Sequence, residues 1–553
     1  MICTKVVSSL EKCFVDEPIE KFEALKKISM LKNERLSVQL LYTATADENN
    51  FSTLRKLCIE GEAAAYTTAR TVEQVPVLMP TPGFVPDDNY LRTAPGIYPD
   101  VLQPLQYHGD VQVVRGNLLS VWIEFDPQDR LAAGTYEVTF LLKEANGNVS
   151  AREVLELEVI DADLPPQELI FTQWFHCDTL ANYYNCEPWS EKHWEIVENY
   201  AKVAVRNGIN LLLTPIHTPP LDTEINGERR TTQLVDVTLE NGVYSFGFEK
   251  LDRWIEMCNR IGVKYFEIAH FFTQWGAEHA PKIMATVNGE YKKIFGWETD
   301  AAGEEYTAYL HAFIPAFLEH MKARGDDKRC FFHVSDEPNA EQLDSYRAAK
   351  NVVADLLKDY VIMDALSNFE YWSQGLVQTP IPANNHIEPF IEAKVPGLWT
   401  YYCCSQFKDV SNRFVAMPLW RTRCIGMQMY KYDIAGFLHW GFNHFNNRWS
   451  IDAINPYTDL SGNYWVAAGD THSVYPAQNG TALESIRIVS FHEALQDLRA
   501  MKLAETVCGK EELVAGMEKL FGGEIRFDRC AHDSATMLAI RAYVNDVIKQ
   551  SLR

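Results

Sequence analysis

From residue 166 onward, short apolar runs of strand length alternate with stretches of helical length, and this alternation narrows the possible folds more than any other feature of the chain. Eight runs read as strands: ELIFTQWF (168–175), INLLLTP (209–215), VKYFEIAH (263–270), RCFFHVSD (329–336), YVIMDA (360–365), TPIPA (379–383), GLWTYYC (397–403) and AGFLHW (435–440). Helical patterns lie between them, among them 191–208, 248–262, 304–325 and 340–359. Parallel strands need crossover connections, so eight such units predict an α/β fold of the (β/α)8 TIM-barrel type. Residues 223–248 read as β-ribbons inserted after the second strand and 271–303 as a long loop after the third. Both insertions would lie at the C-terminal face, where barrel enzymes carry their active sites. A closing helix follows from about residue 485.

The first 165 residues have a different pattern. LSVQLLYTA (36–44), VQVVRGNLLSVWIEF (111–125) and GTYEVTFLLKEA (134–145) are rich in β-branched and aromatic residues and partly alternate with period two. VLELEVIDADLPP (154–166) reads as a last strand running into a Pro-marked linker. The expected organisation is therefore an antiparallel β-sandwich domain over 1–165, the barrel over 166–505 and a small C-terminal tail over 506–553. The total of 553 residues exceeds what one hydrophobic core organises.

A formal net charge of -24 repels phosphate backbones and anionic membranes, so neither nucleic acid nor a membrane is an expected partner. The start MICTKVVSSLEKCF lacks the basic, apolar and small-residue pattern of a secretory signal, and no apolar run is long enough to span a bilayer. The 12 cysteines are scattered apart from Cys403-Cys404 and form no CxxC pair, which reads as reduced thiols in the cytoplasm. Dinucleotide, P-loop and GxSxG signatures are missing from the sequence, so no cofactor is expected. His176, His270 and His439 stand too far apart, with no HxxxH pair, to suggest a metal site. The sequence leaves a homo-oligomer open.

The strongest local signal is FFHVSDEPNA (331–340), an apolar strand that runs into Asp336 and Glu337 just before a helix, with Pro338 near the helix start. Two carboxyls at a strand's C-terminal end would enter the barrel mouth, but neighbours on a strand face opposite ways, so they share a pocket only where the chain bends. Such closeness splits their titration, and the acid that keeps its proton can serve as a general acid. The competing explanation is helix capping, since acidic residues favour a helix N-terminus. Aromatic and neutral polar groups recur at the other strand ends: Trp174 and His176, Glu267 and His270, Trp399, Tyr401 and Tyr402, then His439, Trp440 and Asn443. Rings that stack on sugar C–H faces beside donors for hydroxyls suit a polyhydroxylated ligand. Core packing explains any single one of them equally well.

With these motifs in order, the chain resembles glycoside hydrolase family 123 and its wider group of relatives. KNERLSVQLLYTA (32–44), YPDVLQPL (98–105) and 118–140 are similar to the family's N-terminal domain. FFHVSDEPN resembles its catalytic strand, and GLWTYYCC, 412–445 and 467–502 resemble its last strands and closing segment. The resemblance implies an exo-acting, retaining β-N-acetylgalactosaminidase in which the sugar's own 2-acetamido oxygen attacks the anomeric carbon and forms an oxazolinium intermediate. It implies Glu337 as general acid and then base, and Asp336 as the group that orients the acetamido N–H. Tyr401 and Trp440 match the family's acetamido-pocket residues best, ahead of Trp174, His270, Trp372 and Asn443. An oligosaccharide or glycoside is the implied substrate. Two alternatives stand beside this. One is a glycosidase for another sugar with a protein carboxylate nucleophile, Glu267 or Asp364. The other is an inactive carbohydrate-binding protein.

Overall fold

A computed structural model describes residues 1–45, 51–83, 86–105 and 109–552. The N-terminal region contains two five-stranded sheets. The first runs Ile2–Ser8, Leu36–Ala44, Leu119–Phe125, Thr67–Val77 and Gly96–Pro104 in spatial order, antiparallel throughout. The second runs Lys27–Leu31, Val149–Ile160, Gly134–Lys143, Ser52–Glu60 and Asp110–Val114, with only its first pair parallel. Val38, Leu40, Val121 and Ile123 of the first sheet meet Val138, Phe140, Leu155 and Leu157 of the second in one core. The period-two alternation of strands accounts for what the other face does. Trp122, between Val121 and Ile123, points away from that core and joins the large core of the α/β region. The expected single segment 111–125 is in fact two strands in different sheets, because the chain turns at Gly116 with φ 79°.

Each of the eight expected segments beyond residue 166 contains a parallel strand: Ile170–Gln173, Leu211–Thr214, Tyr265–Ile268, Cys330–Phe332, Val361–Ala365, Thr379–Ile381, Trp399–Tyr401 and Gly436–His439. Strands two to six pair in chain order, and strand one pairs with strand eight, which pairs with strand seven. The two sheets approach each other at both edges. Ala383 and Tyr401 form a parallel bridge between strands six and seven. Asn210 N–H donates to Phe171 O at 3.1 Å, between strands two and one.

Alternate residues of these strands belong to different cores. Leu211, Leu213, Phe331, Met363, Trp399 and Leu438 pack on one another, whereas Leu212, Phe332, Ile362 and Phe437 pack outward into the large core that includes the helices. Trp399 fills so much of the inner space that a Cβ at Gly436, on the next strand, would lie 2.1 Å from its ring. Gly436→Ala should therefore cost about 1–3 kcal/mol through overpacking. A drop in thermal midpoint that is partly restored by adding Trp399→Leu is the expected result; an unchanged midpoint would refute this account.

Helices Glu191–Arg206, Glu249–Ile261 and Glu304–Arg324 fall where the pattern placed them. The stretch expected at 340–359 is a shorter helix, Leu343–Val353, entered through a single 3-10 turn. The expected loop at 271–303 contains a hairpin, Ile283–Val287 with Glu290–Phe295. It pairs through Thr238 and Thr286 with the ribbon Asp236–Glu240 and Val243–Gly247, giving one inserted four-stranded sheet. The closing helix spans Ile486–Cys508. After it come two more helices, Lys510–Phe521 and Ser534–Gln550, where a small tail was expected. Arg541 of the last donates to Asp497 at 2.7 Å and to Glu34 at 2.5 Å, linking it to the closing helix and to the N-terminal region. None of the described helices is long and apolar enough to cross a membrane.

Candidate active site

The fourth parallel strand leads directly to the acids. After Phe332 the chain is held by Ser335 Oγ, which donates to Thr273 O at 2.8 Å, and by Glu337 N–H, which donates to Ala365 O at 2.9 Å. Glu337 has φ 44°, in the left-handed region, and this is the bend that lets neighbouring side chains enter one cleft. Helix capping is carried out elsewhere. Asn339 Oδ1 accepts from Glu341 N–H at 2.9 Å, and Gln342 Oε1 accepts from Asn339 N–H at 3.0 Å, forming a capping box. Pro338 therefore precedes the cap instead of standing in the first helical turn, and Asp336 and Glu337 do no capping.

The acids face a cleft with a cavity volume of about 100 Å³ that opens to solvent. Trp174, Tyr401, Trp440, Asp336 and Glu337 line it, together with His176, Leu221, Asp222, Gln274, Trp275, Cys403, Cys404, Leu438 and Trp465. Burial first, and then the neighbouring Glu337, push the Asp336 carboxyl well above the usual range. Burial also raises Glu337, although its surface reaches solvent. The Tyr401 hydroxyl, donating to Glu337 Oε1 at 2.6 Å, opposes that rise. The pair thus resists ionising completely.

Beneath the acids lies a buried charge cluster. His333 Nε2 faces Glu267 Oε1 at 2.8 Å and its Nδ1 faces Asp364 Oδ1 at 3.2 Å. Glu267 also accepts from Trp174 Nε1 at 2.7 Å and from Thr172 Oγ1 at 2.5 Å. Asp364 accepts from Val334 N–H at 3.0 Å and from the Tyr346 hydroxyl at 2.5 Å. Burial alone would depress the His333 imidazolium, but its bonds to Asp364 and Glu267 outweigh this and push its pKa up to about 9. Burial pulls Asp364 toward protonation, yet three donors converge on its carboxylate, an arrangement that suits an anion.

This histidine makes stability depend on pH. A folded-state pKa raised from 6.5 to about 9 gives stabilisation that is complete below 6.5 and is lost as pH rises through 9. The amount is about 3 kcal/mol. Buried Lys12, lowered to about 7, changes stability with the opposite sign in wild type and variant alike, so the excess stability of wild type over His333→Gln in urea should shrink across this window. An excess equal on both sides of the window would contradict the ionised assignment.

Two further contacts set the walls. Trp440 Nε1 donates to Asp470 Oδ2 at 2.9 Å. Burial raises the Asp470 carboxyl to about 7 against the opposing pull of Arg413 and of that Trp440 bond. Arg229 donates to His176 Nδ1 at 3.1 Å, so His176 carries its proton on Nε2 and donates it to Trp440 O at 2.9 Å. Asp222, Trp275 and Glu337 all have positive φ, at 42°, 57° and 44°. Strain of this kind costs about 1–3 kcal/mol per residue and concentrates at functional sites.

Four residues expected at the site do not line the cleft. His270 lies behind it, edge-on to Trp174 with ring centroids 5.4 Å apart and stacked on His333 at 4.1 Å. Asn443 is buried and clips two loops together, accepting from His176 N–H at 2.9 Å and donating to His176 O at 3.0 Å. Trp399 is the inner-core ring against Gly436. Trp372 packs on Phe369 in the helix Glu370–Ser373. Glu267 and Asp364 are fully buried and their oxygens are occupied, which removes both as nucleophiles. Donor atoms of His270, His333 and Asp364 lie within 4.8 Å of one another, but the rings are stacked and both His333 nitrogens are engaged. Asp222, Gln274, Trp275 and Trp465 went unnoticed in the sequence because each stands in a loop without strand periodicity.

Adjacent acids at the C-terminal end of a parallel strand, facing a tryptophan-walled cleft, are an arrangement that suits glycoside hydrolysis. The family model "Glycoside hydrolase 123, catalytic domain" matches residues 174–504, and the chain belongs to that family. Its fold is shared with a family 123 glycoside hydrolase from Clostridium perfringens, reported in a study of glycolipid glycan hydrolysis. That comparison has a TM-score of 0.72 at 13% identity and covers 100% of this chain and 97% of the other. A β-glucuronidase from Parabacteroides merdae (TM-score 0.29, 9% identity, covering 89% of this chain and 52% of the other) is too distant to carry an argument. The same holds for an endo-β-1,4-mannanase from Thermotoga petrophila (TM-score 0.33, 12% identity, covering 61% and 78%). Curated protein sequences yielded no match.

Proposed function

We propose that this glycoside hydrolase is an exo-acting, retaining β-N-acetylgalactosaminidase that uses the substrate's 2-acetamido oxygen as nucleophile. We further infer that the eight parallel strands close into a (β/α)8 barrel behind an N-terminal β-sandwich, a reading supported by the contacts at both sheet edges and by the separate inner core. The observation that carries the catalytic reading is the adjacency of Asp336 and Glu337 in one cleft, with Glu267 and Asp364 locked away below it. A tethered nucleophile acts at high effective concentration, so the protein need supply only proton transfer and charge stabilisation.

In this mechanism Glu337 protonates the departing glycosidic oxygen as the acetamido oxygen closes on the anomeric carbon. Asp336 accepts the acetamido N–H and stabilises the positive charge of the oxazolinium. Glu337 then takes a proton from the water that opens the ring, and the β-configured sugar is restored. Before substrate arrives, burial favours a protonated Asp336. An N–H donor placed against Asp336 favours its anion, which leaves the shared proton to Glu337. The free thiols of all twelve cysteines suit a reducing, cytoplasmic setting, with a short oligosaccharide as substrate.

One observation favours a second reading. Asp222 lines the same cleft, with its Oδ2 3.3 Å from His444 Nε2 and without a hydrogen bond, so it could serve as a protein nucleophile toward a sugar without an acetamido group. Aryl β-glycosides of N-acetylgalactosamine, N-acetylglucosamine, galactose and glucose separate the two. Turnover confined to the 2-acetamido sugars, with competitive inhibition by a thiazoline mimic of the oxazoline, is expected. Efficient galactoside cleavage that Asp222→Asn abolishes would transfer the assignment to the second reading.

A further inference from the structure

Cys403 and Cys404 follow Tyr402 at the exit of the seventh parallel strand, and both sulfur-bearing residues line the catalytic cleft. The Cys404 thiol lies 3.8 Å from the Ser405 hydroxyl. Cys403 is buried and Cys404 is half-buried, so the second is the sulfur that an incoming reagent meets first. The turn that carries them is fixed. Gln406 Oε1 accepts from Cys403 N–H at 2.9 Å and from its thiol at 3.3 Å. Asn412 Nδ2 donates to Cys403 O at 2.8 Å and to Gln406 O at 2.7 Å.

Adjacent residues joined by a trans peptide have Cα atoms about 3.8 Å apart. An unstrained disulfide spans about 4.4–6.8 Å between Cα atoms. A direct S–S bond across this pair is therefore strained, and the pair is held as two thiols. A single atom inserted between the sulfurs enlarges the ring and removes much of that strain.

We propose that Cys403 and Cys404 form a capture site for thiophiles that bridge two sulfurs, namely trivalent arsenicals of the aryl arsine oxide class, and that the captured group obstructs the sugar cleft. In the reaction the two thiol protons leave with the arsenic-bound oxygen as water. Two As–S bonds replace the bonding of arsenic to oxygen, arsenic remains trivalent, and no oxidant is consumed. Two other cysteines, Cys424 and Cys530, are buried and outside the cleft, which makes them an internal control.

The test is titration of the full chain with phenylarsine oxide. Intact mass should gain one phenylarsenic group and lose two hydrogens at one equivalent. Peptide mapping should place the adduct across Cys403 and Cys404. Glycoside hydrolysis should fall to background and return with 2,3-dimercaptopropanol but not with mercaptoethanol. Cys404→Ser should form no stable adduct, whereas Cys530→Ser should form it unchanged. Prior saturation with the thiazoline should slow adduct formation. Absence of an adduct, or its location on Cys424 and Cys530, overturns the capture site. An adduct on Cys403 and Cys404 that leaves hydrolysis intact overturns the obstruction. Capture is read by mass alone and is independent of the sugar assigned above; only the obstruction rests on that reading.

Discussion

Glu337→Gln should lower turnover of a nitrophenyl β-N-acetylgalactosaminide by about 10²–10⁴-fold, the usual contribution of a positioned general acid and base. The amide is nearly isosteric and can still accept from the Tyr401 hydroxyl, which donates to this residue at 2.6 Å, so the cleft should keep its shape and KM should change little. A thermal midpoint close to that of the wild type would establish that the loss is chemical. The loss should depend on the leaving group. A dinitrophenyl aglycone departs without a proton, so bond cleavage should suffer less with it than with a poor leaving group. Steady-state kinetics on both substrates reads this directly. Wild-type turnover in the variant, with either aglycone, would rule out Glu337 as the proton donor and would leave the mechanism without one.

The second large effect concerns the fold. Arg487 and Asp100 are both fully buried and paired twice, Nε to Oδ1 at 2.8 Å and Nη2 to Oδ2 at 2.8 Å. The Tyr475 hydroxyl also donates to Asp100, and Arg487 donates to Gly469 O at 2.7 Å and His472 O at 3.0 Å. Asp100 belongs to the strand Gly96–Pro104 of the N-terminal sheet and Arg487 to the closing helix Ile486–Cys508, so the pair ties one region to the other. Asp100→Ala should cost about 3–5 kcal/mol, because it leaves a guanidinium buried without its counter-charge. Replacing both partners with apolar residues, Asp100→Leu with Arg487→Met, should cost much less, since no unpaired charge remains. Denaturant midpoints of the single and double variants measure this. Equal losses in the two would mean that volume and not charge governs the junction.

Much of the architecture was readable in advance because the signals are local. A strand buried on both faces needs a short continuous apolar run, and a crossover helix needs its own period, so all eight parallel strands could be located from neighbouring residues alone. The acid pair was legible for the same reason, as Asp336 and Glu337 sit where an apolar strand ends. The insertions were harder. The hairpin at 283–295 has little periodicity of its own and exists because Asp236–Glu240 offers it an edge. The helices after residue 509 were read as a tail because the contacts of Arg541 with Glu34 and Asp497 join positions far apart in the chain.

The residues alone determined the class of chemistry: a carboxyl pair at a strand end, aromatic groups at several others, and the charge that turns away nucleic acid. Tertiary structure alone decided which of those aromatics line the cleft. Trp399 and Tyr401 are two apart on one strand and share a face, yet Trp399 fills the inner core while Tyr401 lines the cleft and donates to Glu337. Periodicity specifies a face but carries no measure of depth along the strand. It is equally silent on loops, which is why Asp222, Trp275 and Trp465 joined the site only when the folded chain brought three separate strand exits together. Distances across the fold, set by packing between segments remote in sequence, converted a list of plausible residues into a cleft with an acid, its partner and their supports.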